Sequence, residues 1–118
     1  MDTIFIKNLT FNAIIGIYPH EREHEQPMVI DLEMANDIRE AAYNNDLNAS
    51  INYAAVSEAV ISFCCQAEAE LLETLAENLS AYLMKEFNIP GLRLHIGKPM
   101  AVPDAELVGV KISRGVPF

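Results

Sequence analysis

Hydrophobic and polar positions alternate with period two from about Thr3 to Gly16, with Leu9, Phe11, Ala13 and Ile15 falling on one side. Period two points successive side chains to opposite faces of a strand. A second alternation sets Met28, Ile30, Leu32 and Met34 against Val29, Asp31, Glu33 and Ala35, and the two segments predict a long hairpin. Their connection, Ile17 to Pro27, is too long for a tight turn and carries Tyr18, His20, Glu21, Arg22, Glu23, His24 and Glu25. A working loop fits there. From Asn36 to Asn52 the chain turns polar, the composition of a loop that ends in a helix cap. The period then changes. Val56, Ala59, Val60, Phe63 and Ala67 predict a helix starting near Tyr53 with Asn52 as its N-cap. Leu72, Leu75, Ala76, Leu79 and Leu83 predict a second helix that stops before Asn88 and Pro90. Alternation returns in Leu92, Leu94 and Ile96, and again in Val108, Val110 and Ile112.

The predicted order is β-β-α-α-β-β. Four half-apolar strands and two helices with one apolar stripe each bury their faces by laying both helices, antiparallel, on one side of a four-stranded antiparallel sheet. This is an α+β fold in a single domain, residues 1–118. The opposite sheet face, with Val29 and Ala35 among polar residues, is only partly apolar and suits the inside of an oligomeric barrel.

Composition narrows the function classes. Of the 118 residues 51% are hydrophobic and 21% charged, so disorder and linker-like readings fail. Eight Lys plus Arg against seventeen Asp plus Glu give a net charge of −9. Phosphate backbones are bound by neutralising many phosphates, so neither nucleic acid nor an anionic membrane is an expected partner. The first residues, Met1-Asp2-Thr3, lack the basic character of an export signal, and no window approaches the ~18 apolar residues of a membrane span. The only cysteines, Cys64 and Cys65, are chain neighbours, where a disulfide would be strained; two free thiols in a reducing cytoplasm are expected.

Several residues invite two readings. His20-Glu21-Arg22-Glu23-His24 spells a zinc-protease motif, which works only where a helix puts both imidazoles on one face. Between Pro19 and Pro27, without helical periodicity, a polar loop is the expectation and no metal site is assigned. Glu21 is either a solvated acid or the reason for the loop's length. Tyr53, at the helix start after a polar loop, either packs or presents its phenol for work. Glu73, in the first turn of the second helix beside Leu71 and Leu72, either favours the helix dipole or receives a guanidine-like edge through two parallel N–H bonds. Lys98 ends the third strand in Gly97-Lys98-Pro99, where the chain leaves the ladder; its amine is either a solvated edge charge or turned into a cleft.

Taken together these segments resemble the dihydroneopterin aldolase family. The resemblance runs through Phe5-Ile6-Lys7-Asn8-Leu9, Ile15-Gly16-Ile17-Tyr18 with Glu21, Glu25-Gln26, Asp31-Leu32-Glu33-Met34, and Asn52-Tyr53. It continues through Leu71-Leu72-Glu73, Leu75-Ala76-Glu77, Gly97-Lys98-Pro99 and Gly109-Val110. It implies the tunnelling fold: four subunits closing a barrel, two rings stacked into an octamer, and sites between subunits. It also implies a pterin substrate gripped by Glu73 and the backbone beside Leu72. Lys98 would then act as general acid/base through a water, Tyr53 would protonate the intermediate, and Glu21 would contact side-chain hydroxyls or the water network. Ala69 departs from the aromatic residue common before the Leu-Leu-Glu stretch.

The implied reaction is retro-aldol cleavage of 7,8-dihydroneopterin in folate synthesis, with epimerisation at the same carbon. The dihydropterin ring accepts the electrons itself, so no Schiff base, metal or cofactor is expected. Two alternatives stay open: a dedicated epimerase of dihydroneopterin or its triphosphate, and a pterin-binding module without turnover.

Overall fold

A computed structural model describes all 118 residues. Strands β1 (Asp2–Ala13) and β2 (Gln26–Asn36) form the hairpin, joined through the single-turn helix α1 (Pro19–Glu23). After β2 come the short helix α2 (Arg39–Asn44) and a 3₁₀ turn at Leu47–Ala49. The long helices α3 (Tyr53–Ala67) and α4 (Leu72–Glu86) follow, then strands β3 (Gly91–Lys98) and β4 (Val108–Gly115). The sheet is antiparallel in the order β1-β2-β3-β4, with α3 over β1 and α4 over β3 and β4. The expected architecture stands.

One row across the sheet shows what decides the faces. Ile6, Leu32, Leu94 and Ile112 pair in register under the helices, whereas the next row, Phe5, Glu33, Arg93 and Ser113, lies on the open face. The helix side buries Met28, Ile30, Leu32, Met34, Leu92, Leu94 and Ile96 almost completely against Val56, Val60, Leu75, Leu79 and Leu83. Asn52 caps α3 as its position implies, its side chain accepting from the Ala55 N–H at 3.2 Å. Beyond α4, Asn88 turns left-handed at φ 52° before Pro90.

Three details differ from the sequence expectation. The first strand ends at Ala13 rather than Gly16, which frees residues 14–18 to shape the loop. The stretches 17–27 and 36–52, expected as loops, contain α1 and α2, each too short to show a helical stripe. A bulge also interrupts β1 between Ile6 and Leu9, where Asn8 takes φ 55° and its N–H donates to Asp31 Oδ1 at 2.6 Å. The bulge passes the buried positions from even numbers, Ile4 and Ile6, to odd ones, Leu9, Phe11 and Ala13, without turning the strand over.

Candidate active site

The loop between β1 and β2 builds the first part of the site. Pro19 opens α1, where its fixed φ suits the first helical position and its missing N–H costs nothing. Glu21, third in that turn, folds its side chain back so that Oε1 accepts from the Tyr18 N–H at 3.3 Å. Gly16, at φ 127°, makes room for it: a methyl at that position would overlap the Glu21 carboxyl. The carboxylate is 9% exposed.

Two more donors reach it from the sheet. Gln26, first residue of β2, donates from Nε2 to Glu21 Oε2 at 3.0 Å and to the Ile15 carbonyl at 2.8 Å. Lys98, last residue of β3, places Nζ 3.0 Å from the same Oε2 with its side chain only 14% exposed. Burial by itself pushes the Glu21 carboxyl up. Hydrogen bonds from Gln26, Lys98 and the Tyr18 N–H, with the Lys98 charge, outweigh that and bring it from 4.5 to about 2.

The remaining expected residues lie elsewhere on the chain. Leu72 is buried at the start of α4, and Glu73 beside it is exposed, outside the stripe of Leu72, Leu75, Ala76 and Leu79. Its helix start is nevertheless tied to the Glu21 loop, because the Gly16 N–H donates to the Ala69 carbonyl at 3.1 Å, four residues before Glu73. Tyr53 is 63% exposed at the opposite end of α3. Fifteen residues of helix separate the two ends by about 21 Å, so one chain does not bring its own Tyr53 to this loop. Clefts flank the residues rather than enclose them: one of about 320 Å³ borders Glu21, Gln26 and Met100. Another, of about 380 Å³, lies over Ala69, Leu71 and Thr74.

The family model for FolB, dihydroneopterin aldolase, matches residues 4–113. This chain belongs to the dihydroneopterin aldolase family. It is 41% identical over 115 residues to the dihydroneopterin aldolase of Escherichia coli K12, covering 98% of this chain and 94% of that one. To the Haemophilus influenzae dihydroneopterin aldolase it is 40% identical, with 98% of each chain covered. Among solved structures, the E. coli dihydroneopterin aldolase in complex with neopterin superposes with a TM-score of 0.93 at 41% identity, covering 98% of this chain and all of that one.

Within this dihydroneopterin aldolase fold, Gln26 is the site residue whose role the sequence reading missed. A signal was present: Gln26 shares the even-numbered side of β2 with Met28, Ile30 and Leu32, and a polar residue on a buried side needs a partner. The His-Glu-x-x-His stretch lacks the helical facing its motif needs, since His24 has already left α1 for extended backbone and the exposed His20 stacks on Tyr18. Cys64 is buried in α3, and burial pushes its thiol up to about 12, so it packs as an apolar side chain.

Proposed function

We infer that this dihydroneopterin aldolase of folate synthesis works through the Glu21–Lys98 pair, with Glu73 gripping the pterin. The buried 3.0 Å contact between a carboxylate and the amine that ends β3, tethered to the helix that carries Glu73, is the observation that supports the assignment. Glu73 accepts the 2-amino group and the ring N3–H through its two oxygens, and the free N–H groups at the start of α4, beside Leu72, add a donor. Lys98 relays the proton from the side-chain 2′-hydroxyl through a water. The bond between C1′ and C2′ breaks, its electron pair enters the ring through C6 to N5, and C2′ leaves as the aldehyde carbon of glycolaldehyde. Tyr53 returns a proton to C1′, which completes 6-hydroxymethyl-7,8-dihydropterin. The ring itself holds the electrons, so this chemistry requires neither a metal nor a Schiff base.

Rotation of glycolaldehyde, so that it re-adds to the same face of the intermediate through the other face of its own carbonyl, inverts C2′ and supplies an epimerase activity. A Pseudomonas aeruginosa dihydroneopterin triphosphate 2′-epimerase, 25% identical over 96% of this chain, is a relative with that named activity. A triphosphate requires compensating cations, and eight basic residues in a chain of net charge −9 favour the unphosphorylated substrate.

The working form is a ring of four chains, two rings to an octamer. Strands β1 and β4 each leave one edge unpaired, and heterologous pairing of such edges closes a ring. The Cα radius of gyration, 15.2 Å, exceeds the ~13.5 Å of a compact chain of this length, as suits a plate that belongs to a larger barrel. No helix is long and apolar enough to cross a membrane, and the two free cysteines fit a cytoplasmic enzyme. The deciding assay incubates the protein with 7,8-dihydroneopterin and quantifies glycolaldehyde. Stoichiometric release with 6-hydroxymethyl-7,8-dihydropterin is expected; rapid epimer formation with no glycolaldehyde would overturn the aldolase assignment in favour of the epimerase.

A further inference from the structure

Arg22 sits next to Glu21 on α1, in a chain crowded with acids, yet it forms no ion pair with any of them. Its guanidinium donates only to backbone carbonyls. Nη1 bridges Gly16 and Ala69, both at 3.1 Å, and Nη2 reaches Glu68 at 2.8 Å. The Gly16 N–H to Ala69 carbonyl bond closes the same bracket. Glu68, at φ 45°, is the left-handed residue that ends α3, so the fork also meets the negative end of that helix. An arginine suits this place because its planar fork spans several fixed acceptors at once, which an ammonium cannot do.

We propose that Arg22 is a positioning residue that sets the distance between the Glu21–Lys98 pair and the pterin-gripping carboxylate. Gly16, on one side of the bracket, seats the Glu21 carboxyl. Ala69, on the other, begins the short link to Leu71, the N-cap of α4, which has no side-chain cap of its own to fix it. No other side chain hydrogen-bonds across these two segments, so the guanidinium governs where Glu73 stands relative to Glu21 and Lys98. This inference rests on the pterin role of Glu73 argued above.

The test is a double-mutant cycle on neopterin affinity, read by fluorescence titration of the full chain with Arg22→Met, Glu73→Gln and both together. Arg22→Met keeps the stem and removes the fork; Glu73→Gln keeps one acceptor, so its binding remains measurable. Arg22→Met is expected to weaken neopterin at least ~5-fold in the wild-type background and less than ~2-fold in the Glu73→Gln background, because the single remaining acceptor no longer makes the two parallel bonds whose alignment the strap sets. Equal losses in both backgrounds, as a merely structural role produces, or no loss in either, overturn the proposal. If the Met variant does not fold, Arg22→Lys carries the same cycle, with the same two overturning results. Wild-type protein that binds no neopterin overturns the functional reading instead. The strap is then read from hydrogen exchange at the Gly16 amide, which Arg22→Met is expected to accelerate at least ~10-fold and which an absent strap leaves unchanged.

Discussion

A carboxyl held at about 2 is a carboxylate at pH 7, so Glu21 enters the proposed reaction as an acceptor rather than as a proton donor. In the proposed mechanism the proton transfers fall to the amine it holds. Lys98→Ala is therefore expected to lose at least ~10² in turnover, measured as glycolaldehyde release, while keeping pterin affinity. Unchanged turnover would remove Lys98 from the mechanism. The same depressed carboxyl links stability to acid. Native Glu21 binds its proton less readily than the unfolded chain does, so its stabilisation is complete above about 4.5 and drains away as pH falls toward about 2. Unfolding free energies of wild type and Glu21→Gln, read from denaturant titrations, should differ by about 3 kcal/mol near neutrality and converge only as the pH falls below about 2; parallel curves would show that the ion pair does not carry the shift. The helices and strand that carry Tyr53, Leu72, Glu73 and Lys98, and the working loop that carries Glu21, were legible in the sequence, but that Gln26 joins the Glu21 carboxylate was not. Its bond spans the turn between β1 and β2, and alternation shows only that a polar side chain faces inward, not what meets it.

Elements were legible wherever burial imposes a period. Both long helices and all four strands fall where their stripes predict, because each turns one face to a shared apolar core. Where no stripe exists the sequence is mute: α1 and α2 occupy only five and six residues, and the β1 bulge hides inside an alternation that changes parity. The α4 stripe holds one discord. Ser80 is 1% exposed among Ala76, Leu79 and Leu83, and its hydroxyl has no partner. Burying an unpaired hydroxyl costs about 1–3 kcal/mol, and alanine is also the better helix former by a few tenths. Ser80→Ala should consequently raise stability by about 1 kcal/mol at unchanged denaturant slope, read from urea unfolding of the assembled protein. A lower midpoint would mean that the hydroxyl is satisfied, by water or a neighbouring chain.

The whole molecule poses a geometric problem that a single chain does not solve. Lys98 and Glu21 meet at one end of α3, and Tyr53 stands about 21 Å away at the other, facing solvent. No rotamer of a tyrosine bridges that gap, so if all three serve one reaction, Tyr53 reaches the pair from a neighbouring copy. Unpaired edges on β1 and β4 give copies a way to repeat around a ring, and in a heterologous ring every boundary is the same. Two inactive variants should then repair each other. Tyr53→Ala and Lys98→Ala, unfolded together in equal amounts and refolded, form boundaries in which an intact Tyr53 from one variant faces an intact Lys98 from the other. Random mixing makes about a quarter of the boundaries complete, so the mixture should recover about a quarter of wild-type glycolaldehyde release while each variant refolded alone stays inactive. Were the two residues to act within one chain, every chain in the mixture would lack one of them, and no mixing ratio would restore turnover.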